Sequence, residues 1–152
     1  MIRLTKDTDN IVTIIFDMKD RPHNVVNHEI SEAFVPVLKR LQEEKAQGQL
    51  RGVILTSAKK SFLSGGDLGY LYDVDNAEEL FQQAEKLSRF FRDLEKPGVP
   101  VIAAIAGSAL GSGFEVAMAC HHRIVLDDPR VRVGMPEVNL GLMPSGGSVI
   151  RM

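Results

Sequence analysis

Cysteine is nearly absent from this chain, and that scarcity sets the first limit. Only Cys120 among 152 residues carries a thiol, so no internal disulfide can form. A lone thiol in an apolar tract reads as a packing residue kept in a reducing compartment. Long apolar runs are missing too. The longest uncharged apolar stretch, Val99 to Phe114, is too short and too rich in glycine for a membrane-spanning helix, which needs about 20 residues. The amino terminus carries Arg3, Lys6, Asp7 and Asp9 and lacks the apolar core of a signal peptide, so a cytoplasmic location is expected. Excess charge is also lacking. With 18 basic and 20 acidic residues the formal net charge is −2, which provides no electrostatic footprint for nucleic acid.

Several chemistries fail on pattern. His23, His28, His121 and His122 show neither a cysteine pair nor H-E-x-x-H spacing, so no metal is expected. Ser64 and Ser112 lie in no G-x-S-x-G elbow and have no evident histidine partner, which argues against a serine nucleophile. The glycine spacing after Ala106 is G-x-x-x-G-x-G without a following G-K-[ST], and this fits neither a dinucleotide fingerprint nor a P-loop.

What is present is an ordinary globular composition, 44% apolar and 25% charged. A single domain over 1–152 would bury roughly 70% of the surface its unfolded chain exposes. Ile2, Leu4 and the run Ile11 to Phe16 flank an Asp-Thr-Asp-Asn turn signal and predict a hairpin. From Asn27 onward, Ile30, Ala33, Phe34, Val37, Leu38 and Leu41 follow helical spacing up to Gly48, with a kink expected at Pro36. Gly52 to Thr56 reads as a strand buried on both faces. Ser57 to Gly69 reads as a loop. Asn76 with Glu79 resembles a capping box ahead of a second amphipathic helix that stops at Lys96-Pro97-Gly98. Val101 to Ala106 is a further buried strand, Gly107 to Gly113 a tight turn, Phe114 to Cys120 a helix and Arg123 to Leu126 a strand. This alternation predicts an α/β fold with a parallel sheet and right-handed crossovers.

Two glycine-bearing loops follow buried strands. In Gly107-Ser108-Ala109-Leu110-Gly111-Ser112-Gly113, unpaired N–H groups at a helix start favour negative charge, although the glycines are also explained by close strand–helix packing. In Ser64-Gly65-Gly66-Asp67, the glycines let backbone approach a ligand and Asp67 can cap the next turn. Two such loops at neighbouring strand ends offer two convergent N–H donors, the makings of an oxyanion hole. Glu115 stands inside the apolar run Gly113-Phe114-Glu115-Val116-Ala117, where a buried carboxylate is either a poised acid/base or a structural ion pair. Glu137, in Gly134-Met135-Pro136-Glu137-Val138, is a second carboxylate, and a convergent pair would permit coupled proton transfer.

Arg21-Pro22 with Asn24, then Phe62 to Asp67, Ala109 to Glu115, and Pro136 to Pro144 together resemble the crotonase (enoyl-CoA hydratase/isomerase) superfamily along essentially the whole chain. The tract Ala119 to Arg123, with Asp127-Asp128-Pro129 and Pro136-Glu137, is similar to the hydratase part of the multifunctional fatty-acid-oxidation alpha subunit. The resemblance implies a ClpP/crotonase-type right-handed spiral of ββα units. It also implies a thioester carbonyl held by the N–H groups of Ser64 and Ser112, with Gly65, Gly66, Asp67 and Gly111 shaping the site. Glu115 and Glu137 would hold a water for addition across the 2,3 double bond of 2-enoyl-CoA in fatty acid β-oxidation, Glu115 activating it and Glu137 protonating the α-carbon.

The implied partner is an acyl-CoA thioester, with coenzyme A arriving as part of the substrate. No separate cofactor is expected in this segment, and NAD enters only if a dehydrogenase domain lies downstream. Isomerase or hydrolase chemistry on the same fold, or a non-catalytic CoA-binding module, are the alternatives. Two departures stand out: serine at 112 where the family usually has glycine, and Ser145 after Pro144 where glycine usually follows. The chain also ends soon after the second glutamate, so it reads as an amino-terminal fragment that would associate with itself or with the missing carboxy-terminal region.

Overall fold

A computed structural model describes residues 1–151. The chain opens with the expected hairpin, β1 (Ile2–Lys6) and β2 (Ile11–Phe16), paired antiparallel with Ile2 opposite Phe16. Its turn is closed by the Asp7 carboxylate, which accepts from the N–H groups of Asp9 and Ile11. Asn10 adopts a left-handed φ of 63°, a conformation asparagine tolerates better than most residues. Alternate residues of β2, namely Val12, Ile14 and Phe16, are fully buried, which fixes the register of the whole sheet.

Helix α1 (His28–Ala46) is capped by Asn27, whose side chain accepts from Ile30 N–H. It buries Ile30, Phe34, Val37 and Leu41 along one stripe. The helix continues through Pro36 to Ala46, because Pro36 lies on the exposed face, where the carbonyl it deprives of a partner can meet water. Strand β3 (Gly52–Ser57) follows, then α2 (Leu68–Asp73), α3 (Ala77–Glu95), β4 (Val101–Ile105), β5 (Ala109–Leu110), α4 (Ser112–Ala119), β6 (His122–Val125), β7 (Val133–Gly134), a 3-10 turn at Glu137–Leu140 and α5 (Ser148–Arg151).

Several of these differ from the sequence expectation, β5 lying inside the expected turn and β7, the 3-10 turn and α5 not being anticipated. Helix α2 begins inside what read as a loop and its end: it is too short to show helical periodicity and buries no residue. Helix α4 starts at Ser112, two residues earlier than expected. Asn76 caps α3 by accepting from Glu78 and Glu79 N–H, but the Glu79 carboxylate accepts from the Tyr70 hydroxyl at 3.1 Å instead of closing a capping box.

The main sheet has the order β1-β2-β3-β4-β6, with β2, β3, β4 and β6 mutually parallel. A second layer of short parallel pairings runs beside it: Val26 with Gly66, Leu63 with Ala109, and β5 with β7. Each turn of chain therefore lays one strand in the main sheet, one short extended segment in the second layer, and then a helix. The result is an α/β spiral of ββα units, with parallel crossovers of the kind that run right-handed. The core between sheet and helices is aromatic, with Phe16 edge-on to Phe62 at 6.1 Å and Phe34 edge-on to Phe90 at 4.7 Å. Strand β6 ends the sheet, and its residues are exposed, Ile124 by 64%.

Cys120 caps the end of α4 and is buried, its thiol donating to the Val116 carbonyl at 3.3 Å. Burial pushes the thiol up to about 12, against a small opposing pull from Arg123. The unfolded thiol, near 8.5, loses its proton first, so the unfolded chain binds fewer protons and stability falls as pH rises between these values. Cys120→Ala should remove a component approaching about 1.4 kcal/mol per pH unit from the slope of urea-unfolding stability above pH 9. An unchanged slope would contradict the burial argument.

Candidate active site

Parallel strands deliver their carboxyl ends to one rim, and the site is built there. The loop between β2 and α1 is anchored by Asn24, which is fully buried. Its Oδ1 accepts from Met18 N–H at 2.8 Å, and its Nδ2 donates to the Phe16 carbonyl at 3.0 Å and the Ser57 Oγ at 2.9 Å. The Asn24 carbonyl in turn accepts from Ser64 N–H at 2.8 Å. One residue thus ties the ends of β2 and β3 to the loop that follows β3.

That last bond corrects the sequence expectation. Ser64 N–H is consumed by the Asn24 carbonyl and cannot serve as an oxyanion donor. Val26 N–H donates to the Gly65 carbonyl at 2.8 Å and Asp67 N–H to the Val26 carbonyl at 3.3 Å. Between these two pairings the N–H of Gly66 has no acceptor among the described residues. Gly66, like Gly65 beside it, therefore keeps a free N–H among the described residues. Asp67 caps α2 through Tyr70 N–H and pairs with Arg21 at 2.8 Å. Its partial burial works against ionisation, but the hydrogen bonds from Arg21 and Tyr70 N–H and the Arg21 charge outweigh it and hold the carboxyl below its usual range.

The Ser64 side chain has a different role. Its hydroxyl donates to Ser61 Oγ at 3.0 Å, and Ser61 Oγ lies 3.0 Å from His23 Nδ1. The sequence offered Ser64 no histidine, yet the fold supplies one at one remove. No local pattern signals this chain of groups, because it spans two loops that meet only in the folded chain.

The second donor comes from the start of α4. Gly111 holds φ 51°, a backbone state that disfavours other residues, and its N–H is taken by the Gly134 carbonyl at 2.9 Å. Its carbonyl accepts from Phe114 and Glu115 N–H. Ser112, as the first helical residue, has no intrahelical acceptor for its own N–H, which sits at the positive helix end. The Ser112 hydroxyl oxygen lies 3.7 Å from where a Cβ on Gly66 would be, so the two residues are neighbours across the loops. Gly113 answers to packing instead: a Cβ there would fall 2.2 Å from the Leu63 carbonyl oxygen.

A cleft of about 140 Å³ opens over these donors, lined by Ser64, Gly65, Gly66, Gly111, Ser112 and Glu137, with Leu110, Leu140, Leu142 and Met143 among its walls. Glu137 begins the 3-10 turn, which Gly141 closes at φ 70°. One carboxylate oxygen lies 2.7 Å from where a Cβ on Gly111 would be. The other is buried with no hydrogen-bond partner among the described residues.

Glu115 is placed otherwise. It is 1% exposed, and its Oε1 accepts from Gly146 N–H at 2.7 Å, Ser148 Oγ at 2.8 Å and Ser148 N–H at 3.3 Å. Ser145 lines the cleft and Glu115 does not, so the segment 145–148 stands between them. Arg151 fastens that segment by donating to the Gly146 carbonyl at 2.7 Å and to Glu95 at 2.6 Å. Of the two glutamates expected to converge, Glu137 lines this cleft, while Glu115 holds Gly146 and Ser148 through Oε1. A buried carboxylate needs donors, and this segment supplies them to Oε1; no ion pair forms at Glu115 among the described residues.

Two residues with unpaired N–H groups, one at a helix start, line a cleft with an unpartnered carboxylate, and groups of these kinds can stabilise a developing oxyanion and move a proton. A family model described as enoyl-CoA hydratase/isomerase matches residues 7–152, and the chain belongs to that family. Among solved structures, an enoyl-CoA hydratase from Bacillus anthracis is 30% identical with a TM-score of 0.87, over 99% of this chain and 56% of that one. An enoyl-CoA hydratase from a Polaromonas species is 25% identical with a TM-score of 0.87, over 99% and 56%. A Geobacillus kaustophilus protein at 22% identity and TM-score 0.88, over 99% and 54%, shares the fold. The chain thus spans a little over half the length of these proteins, and the crotonase-type spiral expected from the sequence is the fold it has.

Asn24→Ala should cost about 1–3 kcal/mol in urea unfolding, because it strands the buried Met18 N–H and removes the bonds to the Phe16 carbonyl and Ser57 Oγ. A cost under about 1 kcal/mol would mean that this residue does not hold the loops together.

Proposed function

We propose that this chain forms the thioester-activating half of an enoyl-CoA hydratase that adds water to 2-enoyl-CoA in fatty acid β-oxidation. The reading is supported by one observation: Gly66 and Ser112, whose N–H groups have no acceptor among the described residues, line the same cleft as Glu137. The thioester carbonyl oxygen sits between the two donors. Water adds at C3, the double-bond electrons move through C2 onto the carbonyl oxygen, and the enolate so formed is where fixed dipoles contribute most. Glu137 takes a proton from the water and returns one to C2, which closes the balance. The remote CoA moiety binds outside this cleft and no further cofactor takes part.

In the two-carboxylate version expected from the sequence, Glu115 must first be released from Gly146 and Ser148. Its present sequestration supports a second reading on the same donors. In an enoyl-CoA isomerase a single carboxylate removes a proton from C2 of a 3-enoyl thioester and delivers it to C4, through a dienolate whose charge rests on the same carbonyl oxygen. The similarity of the Ala119 to Arg123 tract to the multifunctional alpha subunit suggests a larger protein in which this domain precedes an NAD-dependent dehydrogenase. Self-association, through the exposed strand β6, belongs to the same proposal.

Loss of enoyl-thioester absorbance with crotonyl-CoA tests the reading. Glu137→Gln should lower hydration by about 10²–10⁴-fold with the fold retained. Isomerisation of 3-hexenoyl-CoA without hydration of crotonyl-CoA would select the second reading. Absence of both reactions in the folded chain would defeat the claim that these residues suffice for catalysis.

A further inference from the structure

A serine nucleophile found no histidine in the sequence, but the folded chain links Ser64 to His23 through Ser61. Three serines line the cleft that holds Gly66 and Glu137, namely Ser64, Ser112 and Ser145. Of their hydroxyls only that of Ser64 is hydrogen-bonded among the described residues, and its bond leads to a base.

The middle member orders the chain of groups. Ser61 is 6% exposed, and its oxygen has two partners, Ser64 Oγ at 3.0 Å and His23 Nδ1 at 3.0 Å. Ser64 donates to Ser61, which leaves the Ser61 proton for Nδ1, an acceptor in the tautomer protonated at Nε2. Ser64 Oγ accepts from no group among the described residues, so its lone pairs are unspent. Its backbone is fixed, because its N–H is tied to the Asn24 carbonyl at 2.8 Å. His23 is exposed and can exchange a proton with solvent. A hydroxyl with free lone pairs, its proton already directed toward a base, has the arrangement of an activated nucleophile.

We propose that Ser64 attacks the thioester carbonyl, so that this cleft also transfers the acyl group to an enzyme ester and hydrolyses acyl-CoA. The inference rests on the acyl-CoA reading above and adds a second reaction to it. Ser64 Oγ bonds to C1 of the acyl group while its proton passes to Ser61 and the Ser61 proton to His23. Charge on the carbonyl oxygen is met by the free N–H groups of Gly66 and Ser112. The C1–S bond then breaks, and the CoA sulfur leaves as the thiol with the proton that His23 gives up. Water next adds to C1 of the ester, one of its protons returns to Ser64 through the same chain, and the carboxylic acid departs. His23 and Ser61 do not touch the substrate; they are positioning residues for the Ser64 proton.

Butyryl-CoA isolates this reaction, because without a carbon–carbon double bond it can be neither hydrated nor isomerised. Incubated with the folded chain and quenched in acid, it should release CoA and leave a butyryl ester that peptide mass spectrometry locates on Ser64. Ser64→Ala should abolish both. His23→Ala should slow ester formation by about 10²-fold or more with the affinity for butyryl-CoA unchanged. Free imidazole should restore part of that rate, a rescue that a merely structural histidine would not show. Binding of butyryl-CoA without release of CoA would overturn the inference and leave the acyl-CoA reading standing. Release of CoA without an ester on Ser64, or an ester that forms as fast in His23→Ala, would overturn it as well. Failure of butyryl-CoA to bind would remove the acyl-CoA reading and the inference with it.

Discussion

The arrangement depends on the carboxamide of Asn24. Three parallel or near-parallel segments end close together at this point, and each leaves backbone groups that no further strand will pair. A fully buried carboxamide with one acceptor and two donor hydrogens meets Met18, Phe16 and Ser57 together, and the Asn24 carbonyl takes the Ser64 N–H. With Ser64 committed, the next loop residues fall into the Val26–Gly66 pairing, and the Gly66 N–H is left facing the cleft. The free donor is thus a consequence of which neighbouring groups are already satisfied.

The same logic separates the two glutamates. Both lie near α4, one on it and one across from Gly111, but their oxygens meet different surroundings. Glu115 is enclosed by donors from Gly146 and Ser148 and becomes the anchor of the last described segment. Glu137 rides on a short 3-10 turn with one oxygen unpartnered, the condition of a group that still has a bond to make. Gly111 permits this closeness, since a side chain there would collide with the Glu137 carboxylate.

Much of the fold was legible in the sequence where periodicity is long. The stripe from Ile30 to Leu41, the alternation from Ile11 to Phe16 and the apolar runs of β3 and β4 each announce their element, because burial of one face or of both writes itself into spacing. Helix α2 was not legible: six residues with no buried face leave no periodic signal. At the site, the two glycine loops and both glutamates were identifiable as unusual residues in apolar or turn-rich tracts. The choice of Gly66 over Ser64 as donor was not, since it turns on a hydrogen bond to Asn24, forty positions away in the chain. The withdrawal of Glu115 likewise depends on where residues 146–148 fold back. The His23–Ser61–Ser64 chain belongs to the same class of features, made by tertiary closure alone.

The central claim is that Gly66 and Ser112 N–H polarise a thioester carbonyl, and the carbonyl stretch of bound butyryl-CoA labelled with ¹³C at C1 tests it most directly. Ser112→Pro is the informative variant, because proline is tolerated at the first helical position while deleting the N–H. The account predicts a stretch shifted to lower frequency on binding to the unaltered chain, with much of that shift lost in Ser112→Pro. A bound carbonyl stretching as it does in water, or a shift unaffected by the proline, would contradict it.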